Sequence, residues 1–445
     1  MEGAKNKIDS SNNQNQANAA MTWIELETFA NNLSTSWSDT QQIRQTGPTN
    51  SRATYRSFQT STKKEEARVV LYRDNHAWCP YCQKIWLWLE EMQVPYRIEK
   101  ITMFCYGEKE SWYKKIVPSG MLPALELDGK VITESDVILT CLEQAFGKLG
   151  GNDKGMYDSK IIPLRKMERK LFGSWCQWLC YPSGSAQEEA NSQSQFEKVA
   201  KIVDDQLGKT EGPYFLGNEL CTADVIFTPY IERMAASLFY YKGYDIKSNN
   251  PNIQKWFEAM ETRSTYLGTQ SDYHTHVHDL PPQMGGCYSN NTMQAKRNAE
   301  SVDVGLFSTS VPEVSHAEPK TSMQQVIYRM IIHHQTIIDI NPYNKGVDEA
   351  LRCALTNMAT GKTECIPPAG TDTALRYVRD RICVPRDMSI WAGKRLRTAL
   401  EETAQLDGNN SSHPIPIHNR RDQESGPFKQ MYEPPTPKFK SIILF

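Results

Sequence analysis

Cys79 and Cys82 are separated by two residues, in Cys79-Pro80-Tyr81-Cys82. A thiol pair at this spacing can do nucleophilic or redox chemistry. A free cysteine titrates near about 8.5, so little of it is thiolate at neutral pH. At a helix start the dipole contributes roughly 0.3–1 kcal/mol to a nearby anion, and about 2 kcal/mol when the site is partly buried. At about 1.36 kcal/mol per pKa unit, that lowers the thiol by one unit or a little more. The rest must come from N–H···S bonds to the free amides of the first turn, and CxxC cysteines at helix starts do fall much lower. Cys82, one turn on, points back under the same helix end, where a resolving thiol belongs. Two other readings are a zinc half-site and an inert pair. Zinc needs a second pair of ligands, and the sequence has no second CxxC.

The elements that must position these sulfurs are legible on both sides. Val69-Val70-Leu71-Tyr72 reads as a buried strand, followed by a loop, Arg73–Trp78. Ile85, Leu89 and Met92 then fall on one helical stripe, and Pro80 suits a first-turn position because its missing N–H would be unpaired there. Cys79 therefore opens a helix that leaves a strand. A second strand, Tyr96–Ile101, implies a parallel pair with a right-handed crossover. A short polar helix over Glu108–Ile116 comes next, then the strand Ala124–Leu127. Asp128-Gly129 is a strong hairpin signal, and Lys130–Thr133 is the returning strand. Glu134-Ser135-Asp136 opens a helix, Val137–Phe146, that ends at Gly147. Such a start reads either as an ordinary N-cap or as a grip for a carboxylate.

At 445 residues the chain is too long for one core, and two or three domains are expected. A net charge of −2 gives no electrostatic case for nucleic acid or an anionic membrane. Eleven cysteines without regular short spacings suggest free thiols in a reducing compartment. No apolar run reaches transmembrane length, and the N-terminus lacks both a signal-peptide core and the arginines of a transit peptide. A soluble cytoplasmic protein is expected, with a plastid left open. Residues 1–67 read as disordered or linker around a short helix within Met21–Trp37, and 68–150 as the α/β unit. Residues 151–288 read as an all-α domain, 289–320 as a linker, 321–406 as a helical extension and 407–445 as an extended tail. In the all-α part, Leu171, Trp175, Trp178 and Leu179 read as core that could also roof an acceptor pocket. Asp224 should cap a buried helix running through Tyr241. His274, His276 and His278 alternate, as on a strand. With Cys287 they could hold a metal, although a histidine-rich loop is the preferred reading. His333-His334 read as packed or solvated.

The β-α-β-α-β-β-α order is the thioredoxin-like plan. With CPYC after the first strand, Leu122-Pro123 before the third and Glu134-Ser135 after the hairpin, it resembles the glutathione transferase superfamily, in particular its cysteine-type members. DLPPQMGGCY (279–288), VPRDM (384–388) and the long extensions are most similar to the iota class of photosynthetic organisms. The resemblance implies a thioredoxin-like domain, an all-α transferase domain and a mostly helical extension. It also implies a cis Leu122–Pro123 bond, whose Leu122 N–H and C=O would pair with the cysteinyl backbone of glutathione. Glu134 would meet the γ-glutamyl amine and Ser135 its carboxylate, with Lys109 a further glutathione contact. Glutathione is thus the expected co-substrate, with no metal. Cys79 would attack a disulfide or glutathionylated small molecule and form a mixed disulfide, resolved by a second glutathione or by Cys82. Conjugation of electrophiles is one alternative. Another is a ligand-binding protein that anchors glutathione and holds an aromatic molecule in its helical domain. A homodimer is expected from the superfamily, unless the extensions block the interface.

Overall fold

A computed structural model describes residues 19–304, 311–343 and 345–407. The expected disorder over residues 1–20 and the expected tail over 407–445 fall almost entirely outside them. Helices α1 (Trp23–Asn32) and α2 (Gln41–Thr46) precede a sheet of β1 (Tyr55–Arg56), β2 (Val69–Asp74), β3 (Tyr96–Ile101), β4 (Ala124–Leu127) and β5 (Lys130–Thr133). The strand order is β1-β3-β2-β4-β5. β2 and β3 run parallel, joined by α3 (Pro80–Glu91), and the other pairs are antiparallel. The β4–β5 turn has both central residues at positive φ, Asp128 at 51° and Gly129 at 80°, as a two-residue hairpin requires. Helices α4 (Ser111–Ile116) and α5 (Ser135–Phe146) complete this thioredoxin-like α/β domain.

The all-α domain follows as α6 (Ile162–Leu179), α7 (Ala186–Leu207), α8 (Thr222–Ser237), α9 (Ile246–Asn249), α10 (Pro251–Met260), α11 (Ser264–Thr269) and α12 (Tyr273–Met284). Asp224 is fully buried at the start of α8 and accepts from the backbone N–H groups of Phe215 (3.2 Å) and Cys221 (2.9 Å) and from Trp256 Nε1 (2.9 Å). One carboxylate thus ties three segments together, and its role is in folding. Trp175 and Trp178 are buried, with indole nitrogens bonded to Ser237 Oγ and Glu189 Oε1. The residues that suggested an aromatic ligand in this domain are therefore part of its core.

Helices α13 (Met293–Asp303), α14 (Ser322–Ile340), α15 (Val347–Thr360), α16 (Asp372–Arg381) and α17 (Ile390–Gln405) complete the chain. α14–α17 bury a second core, which Leu26 and Ala30 of α1 join. Three expectations need correction. The stretch before residue 67 is more than linker: β1 forms the sheet edge, and buried Arg56 pairs with Glu90 at 2.9 Å while donating to the carbonyls of Arg44 and Gly47. Its polar composition conceals burial because the polar groups satisfy one another. The expected linker 289–320 contains α13, which buries Ala295, Asn298 and Val302. His274, His276 and His278 lie on the helix α12, not on a strand. They point to Asp380 (3.8 Å), Glu232 (2.7 Å) and Asp303 (2.8 Å), on three different elements. Among the described residues no helix is long and apolar enough to cross a membrane.

Candidate active site

Cys79 is the N-cap of α3, and its Sγ accepts the Cys82 backbone N–H at 3.4 Å. Pro80 occupies the first helical position. The sulfur therefore lies among the freed first-turn amides, which favour an anion. Cys82 is 1% exposed. Burial first, then the hydrogen bond with Cys79, pushes its thiol well above the ordinary range. Both sulfurs are buried, Cys79 at the helix end and Cys82 one turn on, where it is held as a neutral thiol.

Three groups lock the loop before Cys79. Asp74, at the end of β2, accepts the Trp78 N–H through Oδ2 at 2.6 Å. Asn75 N–H donates to Ile101 O at 2.9 Å. Buried Arg233 of α8 donates to the Trp78 carbonyl and, at 2.8 Å, to Gln83 Oε1. The aromatic ring of Trp78 meets Tyr106 edge-on at 5.1 Å, and Tyr106 in turn donates to the Asp279 carbonyl at 3.1 Å. Asp279 is the first residue of the DLPPQM stretch, so part of that motif fixes the loop that covers the thiols.

The structure brings Cys79, Cys82 and Leu122 into one cluster with Trp78, Met103, Cys105, Tyr106 and Cys383. Leu122–Pro123 is cis, and among the described residues no hydrogen bond engages the Leu122 N–H or C=O. Burial lowers the Lys109 ammonium, and its Nζ donates to Thr102 O at 2.8 Å. Glu134 precedes α5 at φ 65°, ψ 114° and makes no side-chain cap bond. An ordinary N-cap has extended backbone and accepts from the first turn, so that reading does not describe this residue. A non-glycine residue in such a conformation stores about 1–3 kcal/mol and is typical of ligand sites. Ser135 begins the helix and is mostly buried. Asp136 binds Lys84 of α3 at 2.6 Å and Arg165 of α6 at 2.9 Å, which pins this helix start against the cysteine helix. Burial works against that carboxylate, but Lys84 and Arg165 hold it down to about 2.

Sequence reading missed three participants. Asp74 is fully buried, its Oδ1 has no hydrogen bond, and its ligand atom lies within 4.8 Å of both sulfurs. As a possible metal set, Asp74, Cys79 and Cys82 offer three donors, one short of a closed structural zinc site. Arg233 and Cys383 come from segments more than a hundred residues away, and no local pattern announces either. Cys383 opens a tight turn with a cis Val384–Pro385 bond, fastened to Thr275 Oγ1 (3.1 Å), Ser51 Oγ (2.6 Å) and Arg329 Nε (2.7 Å).

Residues 78–145 match the family described as glutathione S-transferase, N-terminal domain, and residues 170–268 match glutathione S-transferase, C-terminal domain. Glutathione S-transferase DHAR2 of Arabidopsis thaliana is 24% identical over 195 residues, covering 43% of this chain and 84% of the relative. Glutathione S-transferase L1 of the same plant is 27% identical over 203 residues, covering 44% and 79%. Among solved structures, glutathione transferase Omega 3C from Trametes versicolor is 26% identical with a TM-score of 0.39, covering 46% of this chain and 90% of its own. Two successive segments of the chain are thus similar in sequence to the two glutathione S-transferase domain families, between terminal stretches that these matches leave uncovered.

Proposed function

We propose that the protein is a glutathione-dependent thiol transferase with Cys79 as its nucleophile. The observation that carries this reading is the Cys79 sulfur at the helix start, accepting an amide N–H beside a cis X–Pro bond whose backbone is unpaired. Glutathione would lie extended along Leu122 and Pro123, with its γ-glutamyl end on Glu134 and Ser135 and Lys109 near its other end. Cys79 thiolate attacks the glutathionyl sulfur of a substrate R–S–SG. The Cys79–S–SG bond forms, the substrate S–S bond breaks, and the released thiolate takes a proton from water. A second glutathione thiolate then attacks the adduct, giving glutathione disulfide and restoring Cys79. In the two-cysteine route, Cys82 loses its proton, attacks Cys79 Sγ and expels glutathione thiolate. The internal disulfide that remains is reduced by further glutathione.

Several observations support this over conjugation. A hydroxyl at this place only donates to glutathione, whereas a cysteine forms a covalent adduct itself. Relatives include a protein named Glutathione S-transferase DHAR2, and dehydroascorbate is an admissible second substrate. In the DLPPQMGGCY and VPRDM stretches, the Asp279 carbonyl accepts from Tyr106 and the Asp387 carbonyl from Arg329. Hydroxyethyl-disulfide reduction, assayed beside chlorodinitrobenzene conjugation, tests the reading. Cys79→Ser is expected to lose at least about 100-fold of the reductase activity, as loss of a covalent nucleophile does. Full retention would refute it. Retention in Cys82→Ser would select the one-cysteine route.

A further inference from the structure

A cavity of about 1060 Å³ lies between the thioredoxin-like domain and the helical extension. One wall is formed by the loop before Cys79 and by the loop from Thr102 to Glu108. The other is formed by α14, α16 and the turn that begins at Cys383. No described residue of the all-α transferase domain lines it. This volume is at the upper end of what small-molecule sites offer.

The lining combines cationic and apolar groups. Arg329, Arg381 and Arg386 face it, against Glu108 and Asp387. Asp387 is taken by Arg386, at 2.8 and 3.0 Å. Arg329 is 7% exposed and donates Nε to the Asp387 carbonyl at 2.7 Å, while its buried Nη1 makes no hydrogen bond. Its nearest carboxylate is Asp39 at 4.0 Å, already paired with Arg44 and Arg52. Behind this wall, burial and the neighbouring Arg73, Arg52, Arg44 and Arg386 push Lys100 down to about 8. Burial and then Arg329 push Arg52 down to about 10. A buried cation without a full partner is costly, and the lining carries three arginines against two carboxylates. On the same wall Met330, Ile337 and Met388 offer aliphatic surface, and across from them Trp78 offers a flat one. Trp78 and Cys383 belong both to this lining and to the cluster that holds Cys79 and Cys82.

The geometry points to this cavity as the acceptor site: it takes an aromatic or alicyclic molecule bearing a carboxylate, sulfonate or phosphate, with the anion on Arg329 and the reacting end toward Cys79. Binding follows from the cavity alone, whereas its use in turnover rests on the thiol-transferase reading.

The test is a fluorescence titration of the full chain with 8-anilinonaphthalene-1-sulfonate and with its uncharged analogue N-phenyl-1-naphthylamine. The sulfonate is expected to bind about ten-fold more tightly, the scale of one hydrogen-bonded charge. Arg329→Gln should erase that preference and leave the neutral dye unchanged, and Arg329→Lys should retain part of it. Thr336→Trp, which substitutes an exposed lining residue of α14, should weaken both dyes several-fold. Glutathione affinity by calorimetry should not change in any of them. If Arg329→Gln fails to fold by circular dichroism, the Lys and Trp variants still decide. Equal binding of the two dyes, or sulfonate binding indifferent to both Arg329→Gln and Thr336→Trp, would overturn the assignment. Cys79→Ser should bind the dyes as wild type does even if thiol-transferase activity proves absent, so the two readings fail separately.

Discussion

Cys79 and Cys82 are three residues apart and both buried in one cluster. Cys79 Sγ is met by an amide N–H at 3.4 Å, while Cys82 is buried and its thiol is pushed up. For Cys82 to attack, its proton must leave within the cluster, and Asp74 Oδ1 is the unbonded buried acceptor nearby. Asp74→Asn keeps an oxygen for the Trp78 N–H and removes the proton acceptor. The Cys79–S–SG adduct should form at the wild-type rate in Asp74→Asn, while its conversion to the internal disulfide slows about ten-fold or more. Quenched-flow mass spectrometry reads both steps, and equal conversion rates would remove Asp74 from the mechanism. Glu134 offers a second test at this scale. Its φ of 65° stores strain, which glycine would release at some entropic cost. Glu134→Gly is expected to stabilise the fold by about 1 kcal/mol in urea unfolding and at the same time weaken glutathione binding. If binding is unchanged, the strain serves no ligand.

Among the elements, α12 shows what the sequence conveyed and what it withheld. His274, His276 and His278 alternate as strand residues do, and two prolines follow at 281 and 282, so a strand or loop was the natural reading. The helix forms because Asp272 caps it, accepting the Thr275 N–H at 2.9 Å, and because each imidazole finds a carboxylate on a different element. Those partners lie 25 to 106 residues away, beyond any local pattern. By contrast the hairpin, the cis Leu122–Pro123 bond and the Cys79 helix start were legible, since turn chemistry, family motif and first-turn proline each act over a few residues. Arg56 and α13 were not, because polar stretches that satisfy their own hydrogen bonds look like linkers. The buried histidine also carries a pH signature. Burial, then Arg233, holds His276 below its ordinary value. The unfolded chain therefore takes up a proton near about pH 6.5 that the folded chain refuses. Stability present above that pH is lost as the solution is acidified. Melting temperature should fall between pH 7 and 5, and His276→Gln, which keeps an N–H for Glu232, should flatten that fall.

At the scale of the whole molecule, the extension helps to enclose the cluster that holds Cys79 and Cys82, through Cys383. Its own core takes in α1 from the far end of the chain, with Trp23 Nε1 on Asp348 at 2.8 Å and the Trp23 ring stacked on His334 at 4.2 Å. It docks to the transferase part through buried polar contacts. The chief one joins Arg397 of α17 to Asp272, and the same guanidinium donates to Ile382 O at 2.6 Å, one residue before Cys383. Burial opposes the Asp272 carboxylate, yet Arg397 holds it well below the usual range. Replacing the arginine leaves a buried charge alone, a loss of about 3–5 kcal/mol. Arg397→Met should therefore lower stability by that amount in urea unfolding. Because the same side chain anchors the turn over Cys79, it should also speed alkylation of Cys79 by iodoacetamide before global unfolding begins. Hydrogen exchange is expected to rise first along α12, α17 and residues 382–388, with the β2–β3 core still protected. A uniform loss of protection would mean that the extension and the transferase domains open as one body, and that the enclosure of Cys79 is not separately adjustable.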